Sequence, residues 1–152
     1  MSDNETANVE AEKRKVRQEE SKHWLSYARD DYDVAHYLNE GNFHPKKLEI
    51  ICYHCSQAAE KSVKAVIVNL GSQGGLSKVH NIGFLLNQIK NILPKEKGMQ
   101  ITEEMMDWGD ELSNYSVDVR YPNQLQIDDY KTKKAIEKMD FFVDWAQKVL
   151  DK

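Results

Sequence analysis

Apolar residues recur every three or four positions along most of this chain, and this spacing constrains the fold more than any other feature of the sequence. Side chains three or four residues apart lie on one face of an α-helix, so each such run predicts a helix with one buried face. The sequence shows no internal repeat and no alternation of apolar and polar residues of the kind that predicts a β-strand. The pattern therefore predicts an all-α fold.

Residues that start or stop helices divide this pattern into five segments. Ser21 and Asp128 are good N-cap types, Pro45 suits a first helical position, and Gly71 suits a helix end. The predicted helices run from Ser21 to Leu38, from Pro45 to Leu70, from His80 to Leu93, from Thr102 to a stop at Pro122, and from Asp128 to the C-terminus. Because most connections are short, we expect an up-and-down antiparallel bundle of about five helices.

Length and composition predict one domain with a charged N-terminal segment. A chain of 152 residues is long enough to bury a single core without disulfides or a structural metal. Residues 1–20 carry almost no large apolar side chains, so we expect either a flexible tail or a solvated helical extension there. Residues 21–152 are expected to form the bundle domain.

Net charge and the absence of targeting segments narrow the functional classes. A formal charge of −4 disfavours binding of nucleic acid over the whole surface, because such binding depends on Lys and Arg neutralising phosphates. No apolar run is long enough for a membrane span or a secretory signal, and two cysteines do not form a disulfide framework. We therefore expect a cytoplasmic protein with no membrane association.

The stretch ICYHCSQAAEKSVKAVIV places two cysteines near a histidine. Cys52 and Cys55 fall on the apolar stripe of the second helix, whereas His54 lies one residue off it. A structural zinc site needs four ligands, and a redox dithiol is typical of a strand-to-helix junction. We therefore expect two buried thiols that pack as small hydrophobic groups, and no metal or other cofactor.

The same stretch carries polar residues along one flank of the second helix. Gln57, Lys61 and Lys64 are spaced three or four apart, and Glu60 is placed to pair with Lys64. Asp31 lies on the apolar stripe of the first helix, where a carboxylate is costly to bury without a cation or hydrogen-bond donors. Two interpretations stay open: a solvated charged flank, or a polar pocket in which a lysine meets Asp31 or a ligand phosphate.

The fifth helix combines an apolar face with a basic strip. Its apolar face is predicted to begin at Tyr130. The basic residues of the strip are Lys131, Lys133, Lys134 and Lys138. Such a strip is usually a solvated face and only sometimes an anion-binding groove, and the neighbouring acids dilute its charge.

The segments ARDDYDVAHYLNEGNFHPKKLEIICYHCSQAAEKSVKAVIVNLG, HNIGFLLNQI and YSVDVRYPN, in this order, resemble the HEPN domain, the higher eukaryote and prokaryote nucleotide-binding domain. The likeness covers residues 22 to about 151. It implies an α-helical up-and-down bundle with a four-helix core, usually a homodimer. It also implies binding of a nucleotide or RNA, and in some members pairing with a minimal nucleotidyltransferase as toxin and antitoxin.

Many HEPN proteins are metal-independent ribonucleases with an Arg followed, after four to six intervening positions, by a His. Arg120 matches the Arg, but the residues that follow it read YPNQLQIDD and contain no His. Without a metal, the ribose 2′-hydroxyl needs a nearby base, a role that His performs well near neutral pH. The sequence therefore resembles the RYP-containing branch, and an enzymatic activity is not expected.

We expect a non-catalytic HEPN-like domain that binds a nucleotide such as ATP or GTP, a partner such as a nucleotidyltransferase, or both. RNA is a less favoured ligand. The expected nucleotide-binding residues are Lys61, Lys64, Tyr115, Arg120 and Tyr121, supported by the polar residues Asp31, Gln57, Glu60 and His80. The alternatives are a ribonuclease with a rearranged site, in which His80 replaces the missing His, and a ligand-free helical dimerisation module.

Overall fold

The structure, a computed structural model, describes residues 2–72, 78–96, 98–118 and 126–152. These residues form five helices and contain no strand. The helices are α1 (Asp3–Glu40), α2 (Leu48–Leu70), α3 (Ile82–Ile89), α4 (Glu103–Asp118) and α5 (Asp129–Leu150). The predicted all-α class is confirmed.

Helix α2 lies at the centre of the bundle and packs against each of the other four helices. Its sequence explains this position, because apolar or small residues surround most of its circumference and leave only a narrow polar flank. Ile51, Val63 and Val66 are buried there, and Phe142 and Trp145 of α5 complete the core from the other side. The indole of Trp145 donates a hydrogen bond to the carbonyl of Met99 at 2.9 Å, which satisfies the polar atom of this buried ring.

Helix α1 starts well before the predicted position. Ser2 and Glu5 form a capping box in which each side chain accepts a hydrogen bond from the other residue's backbone N–H. Ser21 is therefore not an N-cap. It lies inside the helix, buried, and its hydroxyl donates to the carbonyl of Gln18 at 2.8 Å. Of the two states expected for residues 1–20, the described part adopts the helical extension.

Two other predicted starts are displaced by a few residues. Pro45 follows a cis peptide bond and precedes α2, which begins at Leu48 and has Ile51 as its first buried residue. Helix α3 begins at Ile82 because the side chain of Asn81 caps it by accepting the N–H of Phe84 at 2.8 Å. His80 is outside the helix, which ends at Ile89 and is shorter than predicted.

Other boundaries match the prediction. Gly71 ends α2 in the left-handed conformation, with φ 64°, and donates to the carbonyls of Ile67 and Val68. The side chain of Thr102 accepts the N–H of Met105 at the start of α4. Asp128 caps α5 by accepting the N–H of Lys131 at 2.8 Å. The predicted end of α4 at Pro122 lies outside the described residues.

Across the described ranges, no helix is long and apolar enough to cross a membrane.

Helices α3 and α4 approach each other closely at two glycines. A Cβ atom on Gly109 would lie 2.8 Å from Cγ2 of Ile82 and 3.1 Å from the backbone nitrogen of Gly83. Both distances are shorter than ordinary van der Waals contact, and one neighbour is backbone, which cannot move aside easily. This close approach holds the short α3 against α4, and α4 is one of the two helices that form the groove described below.

Replacing Gly109 with Ala tests this crossing. Helix propensity alone favours Ala by about 1 kcal/mol in a helix interior, whereas overpacking a tight contact costs about 1–3 kcal/mol. We expect the steric term to prevail, so that Gly109→Ala lowers the free energy of unfolding in urea. Asn114→Ala at an exposed position of α4 is the matched control. A Gly109→Ala protein more stable than the wild type would contradict the close approach.

Candidate functional site

The carboxylate of Asp31 is the centre of a polar cluster between α1 and α2. Lys61 donates to Oδ2 at 2.6 Å, and Nδ1 of His54 lies 2.8 Å from Oδ1. Asp31 is buried, so these two partners replace the water that its carboxylate loses on folding. A lysine against Asp31 is one form of the polar pocket expected from the sequence, and His54 is an additional partner that was not predicted.

Glu60 is the centre of a second buried cluster, one turn away along α2. Lys64 donates to Oε2 of Glu60 at 3.1 Å, as the spacing predicts, and Nδ1 of His80 lies 3.3 Å from the same oxygen. The ammonium of Lys64 also lies 5.5 Å from the centre of the Trp24 ring, a cation–π distance. Within the described ranges, no donor reaches the other carboxylate oxygen, Oε1.

Gln57 connects α2 to α4. Its amide donates to the hydroxyl of Ser116 at 3.1 Å, and the hydroxyl of Ser56 forms a hydrogen bond with the same Ser116 oxygen. All four supporting residues predicted from the sequence therefore have structural partners: Asp31 and Glu60 meet lysines, Gln57 meets Ser116, and His80 meets Glu60.

The two lysines of α2 are consequently neutralised by carboxylates. Lys61 is committed to Asp31 and Lys64 to Glu60, at distances of 2.6 and 3.1 Å. A phosphate bound here would compete with both carboxylates and would lie close to negative charge. This flank of α2 is better suited to holding α1 and α4 in place than to receiving an anion.

A groove lies between α4 and α5, which contact each other less than any other pair of packed helices among the described residues. Its volume is about 670 Å³. We call this the α4–α5 groove. It is lined by Glu104, Trp108, Glu111 and Tyr115 of α4, by Gln126 and Ile127, and by Tyr130, Lys131, Lys134, Glu137 and Lys138 of α5.

Aromatic rings and lysines meet in this groove. Trp108 packs edge-on against Phe141 with ring centres 5.2 Å apart, which fixes one wall. Tyr130 was predicted to begin the buried face of α5, but it is 68% exposed, because the buried face begins at Thr132. The ammonium of Lys134 lies 5.6 Å from the centre of the Tyr130 ring.

Carboxylates balance the lysines of the groove. Lys138 pairs with Glu111 across the groove, and Lys134 lies 3.3 Å from Glu137 on the same helix. Lys131 instead donates to the backbone carbonyl of Gln126 at 2.7 Å, so no carboxylate neutralises it in the described residues. The groove thus carries three lysines and three glutamates.

Among the predicted nucleotide-binding residues that the structure describes, only Tyr115 lines the groove. It is half-buried, and desolvation together with the nearby Cys52 and Glu111 raises the pKa of Tyr115 to about 12. Its hydroxyl therefore stays neutral and able to donate a hydrogen bond throughout the physiological pH range. Lys61 and Lys64 do not line the groove, and neither does His80.

Arg120 and Tyr121 lie outside the described residues, so their predicted roles stay predictions. In the sequence they belong to the connector between α4 and α5, the two helices that form the groove.

The two cysteines are buried, as predicted. Cys52 and Cys55 are fully enclosed by the core, and both are free thiols. Burial raises the pKa of each thiol above its ordinary value. Both groups therefore remain protonated and poorly nucleophilic. In the described part of the chain, His, Cys, Asp and Glu side chains form no group of three that would suit a metal ion.

Residues 21–149 match the family model of the HEPN domain. The chain belongs to the HEPN domain family. The fold agrees, because this HEPN chain is similar to the archaeal HEPN homologue ST0689, with 19% identity and a TM-score of 0.61 over 86% of this chain and 97% of that one. It is also similar to TT1696 from Thermus thermophilus, with 23% identity and a TM-score of 0.52 over 86% and 93% of the two chains. No curated protein matches the sequence.

The residues that line the groove of this HEPN chain follow a helical spacing in the sequence, but only the structure shows that the two spaced sets meet. Its α4 residues are spaced four, three and four apart, and its α5 lysines three and four apart, so each set occupies one helical face. Helical spacing identifies each face, but the contact between α4 and α5 determines that they meet. His54 has a comparable signal, since it lies three residues before Gln57 and seven before Lys61.

Asp31→Asn tests the first polar cluster. The substitution removes the negative charge that faces the ammonium of Lys61 in a largely buried setting, so we expect a loss of about 1–3 kcal/mol in unfolding free energy. Glu10→Gln breaks the exposed Glu10–Lys13 pair and is expected to cost less than about 0.5 kcal/mol. Equal effects of the two substitutions in urea unfolding would show that the cluster contributes nothing beyond a surface pair.

Tyr115→Phe tests the burial of the phenol. Folded Tyr115 keeps its proton to about pH 12, whereas the unfolded side chain titrates near its ordinary value of 10.0, so this group destabilises the fold as pH rises through this interval. We expect the loss of stability between these pH values to be smaller in Tyr115→Phe by about 1–2 kcal/mol, after allowance for partial solvent exposure. The measurement is urea unfolding at several alkaline pH values. If the two proteins lose the same unfolding free energy as the pH rises, the phenol is exposed to water and the expected burial is wrong.

Proposed function

We propose that this HEPN chain binds a nucleotide in the α4–α5 groove and does not chemically transform it. The observation that carries the proposal is the lining of the groove, which combines aromatic rings with lysines in a volume of about 670 Å³. Small-molecule sites typically have volumes of about 300–1,000 Å³ and mix apolar surface with a few polar groups.

Each part of a nucleotide has a suitable partner in the groove. Trp108 and Tyr130 present ring surface on which a base can stack. Lys131 and Lys134 supply ammonium groups for phosphate oxygens, with Lys131 the less neutralised of the two. The hydroxyl of Tyr115 is a neutral donor, and the glutamate carboxylates are acceptors for base amino groups or ribose hydroxyls.

The charge balance favours a mononucleotide over RNA. A polyanion gains most of its affinity from a surplus of cations, whereas this groove carries as many glutamates as lysines. A single nucleotide presents its charge at one end and hydrogen-bond donors at the other, which suits a groove of mixed sign. ATP and GTP are the ligands that we propose to test first.

The absence of a suitable base supports a non-catalytic role. No histidine follows Arg120 anywhere in the sequence. His80, the alternative base considered from the sequence, is 70% exposed at the side chain, hydrogen-bonds Glu60, and lies outside the lining of the groove. The ribonuclease alternative therefore has no histidine in the described lining of the groove to accept the proton of a 2′-hydroxyl.

A protein partner is the second part of the proposal. The family resemblance points to a minimal nucleotidyltransferase, in a toxin–antitoxin-like pair, as the partner of a cytoplasmic HEPN homodimer.

Calorimetric titration with ATP, GTP and a short single-stranded RNA tests the proposal. We expect one mononucleotide to bind with micromolar affinity, and Lys131→Gln with Lys134→Gln to weaken binding about tenfold or more, because each charge-assisted hydrogen bond to phosphate contributes about 1.5–3 kcal/mol. Arg120→Ala tests the residue predicted from the sequence. Lys148→Gln, an exposed lysine of α5 outside the groove, is the matched control.

Four outcomes would contradict the proposal. The groove is not the site if a nucleotide binds equally well to the double lysine variant and to the wild type. The ligand class is wrong if only RNA binds. Cleavage of RNA in EDTA, abolished by Arg120→Ala, would show a ribonuclease with a rearranged site. Absence of any nucleotide binding would favour the ligand-free dimerisation module.

A further inference from the structure

The α4–α5 groove has a defined direction, because two contacts fix how its helices are aligned. Trp108 of α4 packs against Phe141 of α5, and Glu111 of α4 pairs with Lys138 of α5. Three residues forward along α4 therefore correspond to three residues backward along α5, so the two helices run antiparallel. The order of residues along each helix then determines which side chains lie at each end of the groove.

One end of the groove carries lysines. Lys134 lies one turn before Lys138 on α5, and Lys131 lies almost one turn earlier still. In the antiparallel alignment both lysines lie toward the C-terminal end of α4, where Tyr115 lines the groove. The ring of Tyr130, close to the ammonium of Lys134, belongs to the same end. We call the end defined by Tyr130, Lys131 and Lys134 the basic end.

The other end carries a carboxylate and an indole. Glu104 lies in the first turn of α4, and Trp108 follows one turn later on the same face. The described part of α5 contributes no lysine to the lining beyond Lys138, which already pairs with Glu111. We call the end defined by Glu104 and Trp108 the acidic end. Glu104 and Tyr115 are separated by roughly 16 Å along α4, a length comparable with that of an extended nucleoside triphosphate.

Glu104 is the carboxylate of the groove that is available to a ligand. Glu111 pairs with Lys138, and Glu137 lies 3.3 Å from Lys134. Within the described ranges no cation or hydrogen-bond donor reaches the exposed side chain of Glu104. The amide dipoles at the N-terminus of α4 favour a negative charge at this position. Both oxygens of the ionised carboxylate are therefore free to accept hydrogen bonds.

A carboxylate with two free oxygens discriminates between purine bases. Guanine presents two adjacent donors, the N1–H and the 2-amino group, which match the two oxygens of one carboxylate. Adenine presents its 6-amino group beside N1, which is an acceptor and would face the second carboxylate oxygen with no proton between them. Guanine therefore gains a pair of charge-assisted hydrogen bonds that adenine cannot form.

We propose that Glu104 makes the α4–α5 groove selective for a guanine nucleotide, an inference that rests on the nucleotide binding proposed above. The guanine edge is bound by the carboxylate of Glu104, and the guanine ring lies against Trp108 at the acidic end. The phosphates lie at the basic end, beside Lys131 and Lys134. The reverse orientation would place the phosphates against an unpaired carboxylate, so the charges of the groove fix the direction of the ligand.

Calorimetric titration of the whole chain with GTP, ITP and ATP tests the selectivity. We expect GTP to bind about tenfold or more tightly than ATP, because a bidentate contact to a base edge discriminates by roughly this factor or more. Inosine triphosphate keeps the N1–H and lacks the 2-amino group, so it is expected to bind with an affinity between those of GTP and ATP.

Glu104→Gln provides a change of preference as well as a loss of affinity. The amide of glutamine offers one acceptor and one donor, which match xanthine, because its N1–H lies beside a 2-carbonyl oxygen. We expect Glu104→Gln to weaken GTP binding about tenfold and to bind xanthosine triphosphate more tightly than the wild type does. Loss of structure would weaken both ligands and could not produce this exchange.

Glu103→Gln is the matched control. Glu103 is exposed in the same first turn of α4 but does not line the groove, so the variant removes the same charge from the helix N-terminus. We expect Glu103→Gln to keep the wild-type ratio of GTP to ATP affinity. An equal change in the two variants would show that the charge acts at a distance and would overturn the direct contact with guanine.

The remaining outcomes separate this inference from the function on which it rests. Equal binding of GTP and ATP, weakened for both by Lys131→Gln with Lys134→Gln, would overturn the guanine selectivity and leave nucleotide binding in the groove. A preference for GTP that persists in Glu104→Gln would overturn the role of Glu104. Absence of binding by every nucleotide would overturn both proposals.

Discussion

The burial of α2 is the constraint on which the rest of this HEPN domain depends. Because α2 packs against four other helices, most of its buried polar groups need partners from within the protein. Asp31 and Glu60 each receive a lysine and a histidine, and Gln57 receives Ser116. These contacts join α1, α2, α4 and the segment before α3, so the same side chains that satisfy buried charge also fix the relative positions of the helices.

The pairing of the α2 lysines with buried carboxylates limits where the domain can bind a ligand. Lysines that are committed to buried carboxylates cannot also serve as free cations for a phosphate without a cost in desolvated charge. The less tightly packed pair, α4 and α5, instead leaves a groove in which lysines are more exposed and aromatic rings are accessible. The helix that is best packed supports the architecture, and the helices that are least packed against each other provide the surface for recognition.

Helical periodicity predicted most of the fold, because the buried face of each helix is a local property of the sequence. The same reasoning predicted the Glu60–Lys64 pair and the burial of Cys52 and Cys55, which depend on spacing within α2 alone. It failed where the decisive contact joins different helices. His54 was placed off the apolar stripe, yet α1 brings Asp31 to it.

The prediction that α1 starts at Ser21 was wrong for a different reason. Ser21 is a good cap by type, but a capping box at Ser2 and Glu5 allows the helix to continue through a segment with almost no apolar residues. Polar composition indicated that residues 1–20 have little to bury, and this is compatible with helix as well as with coil. The candidate site was less predictable than the fold, because α4 and α5 form the groove together and neither sequence segment identifies the other.

The continuity of α1 has a mechanical consequence. Since one uninterrupted helix runs from Asp3 to Glu40, its exposed first half and its packed second half share a single rotational phase. One residue added near Ser21 would turn everything before it by about 100° about the helix axis, and only changes of about 7, 11 or 18 residues would restore the alignment. The number of residues between a side chain of the extension and the bundle therefore determines the direction in which that side chain faces.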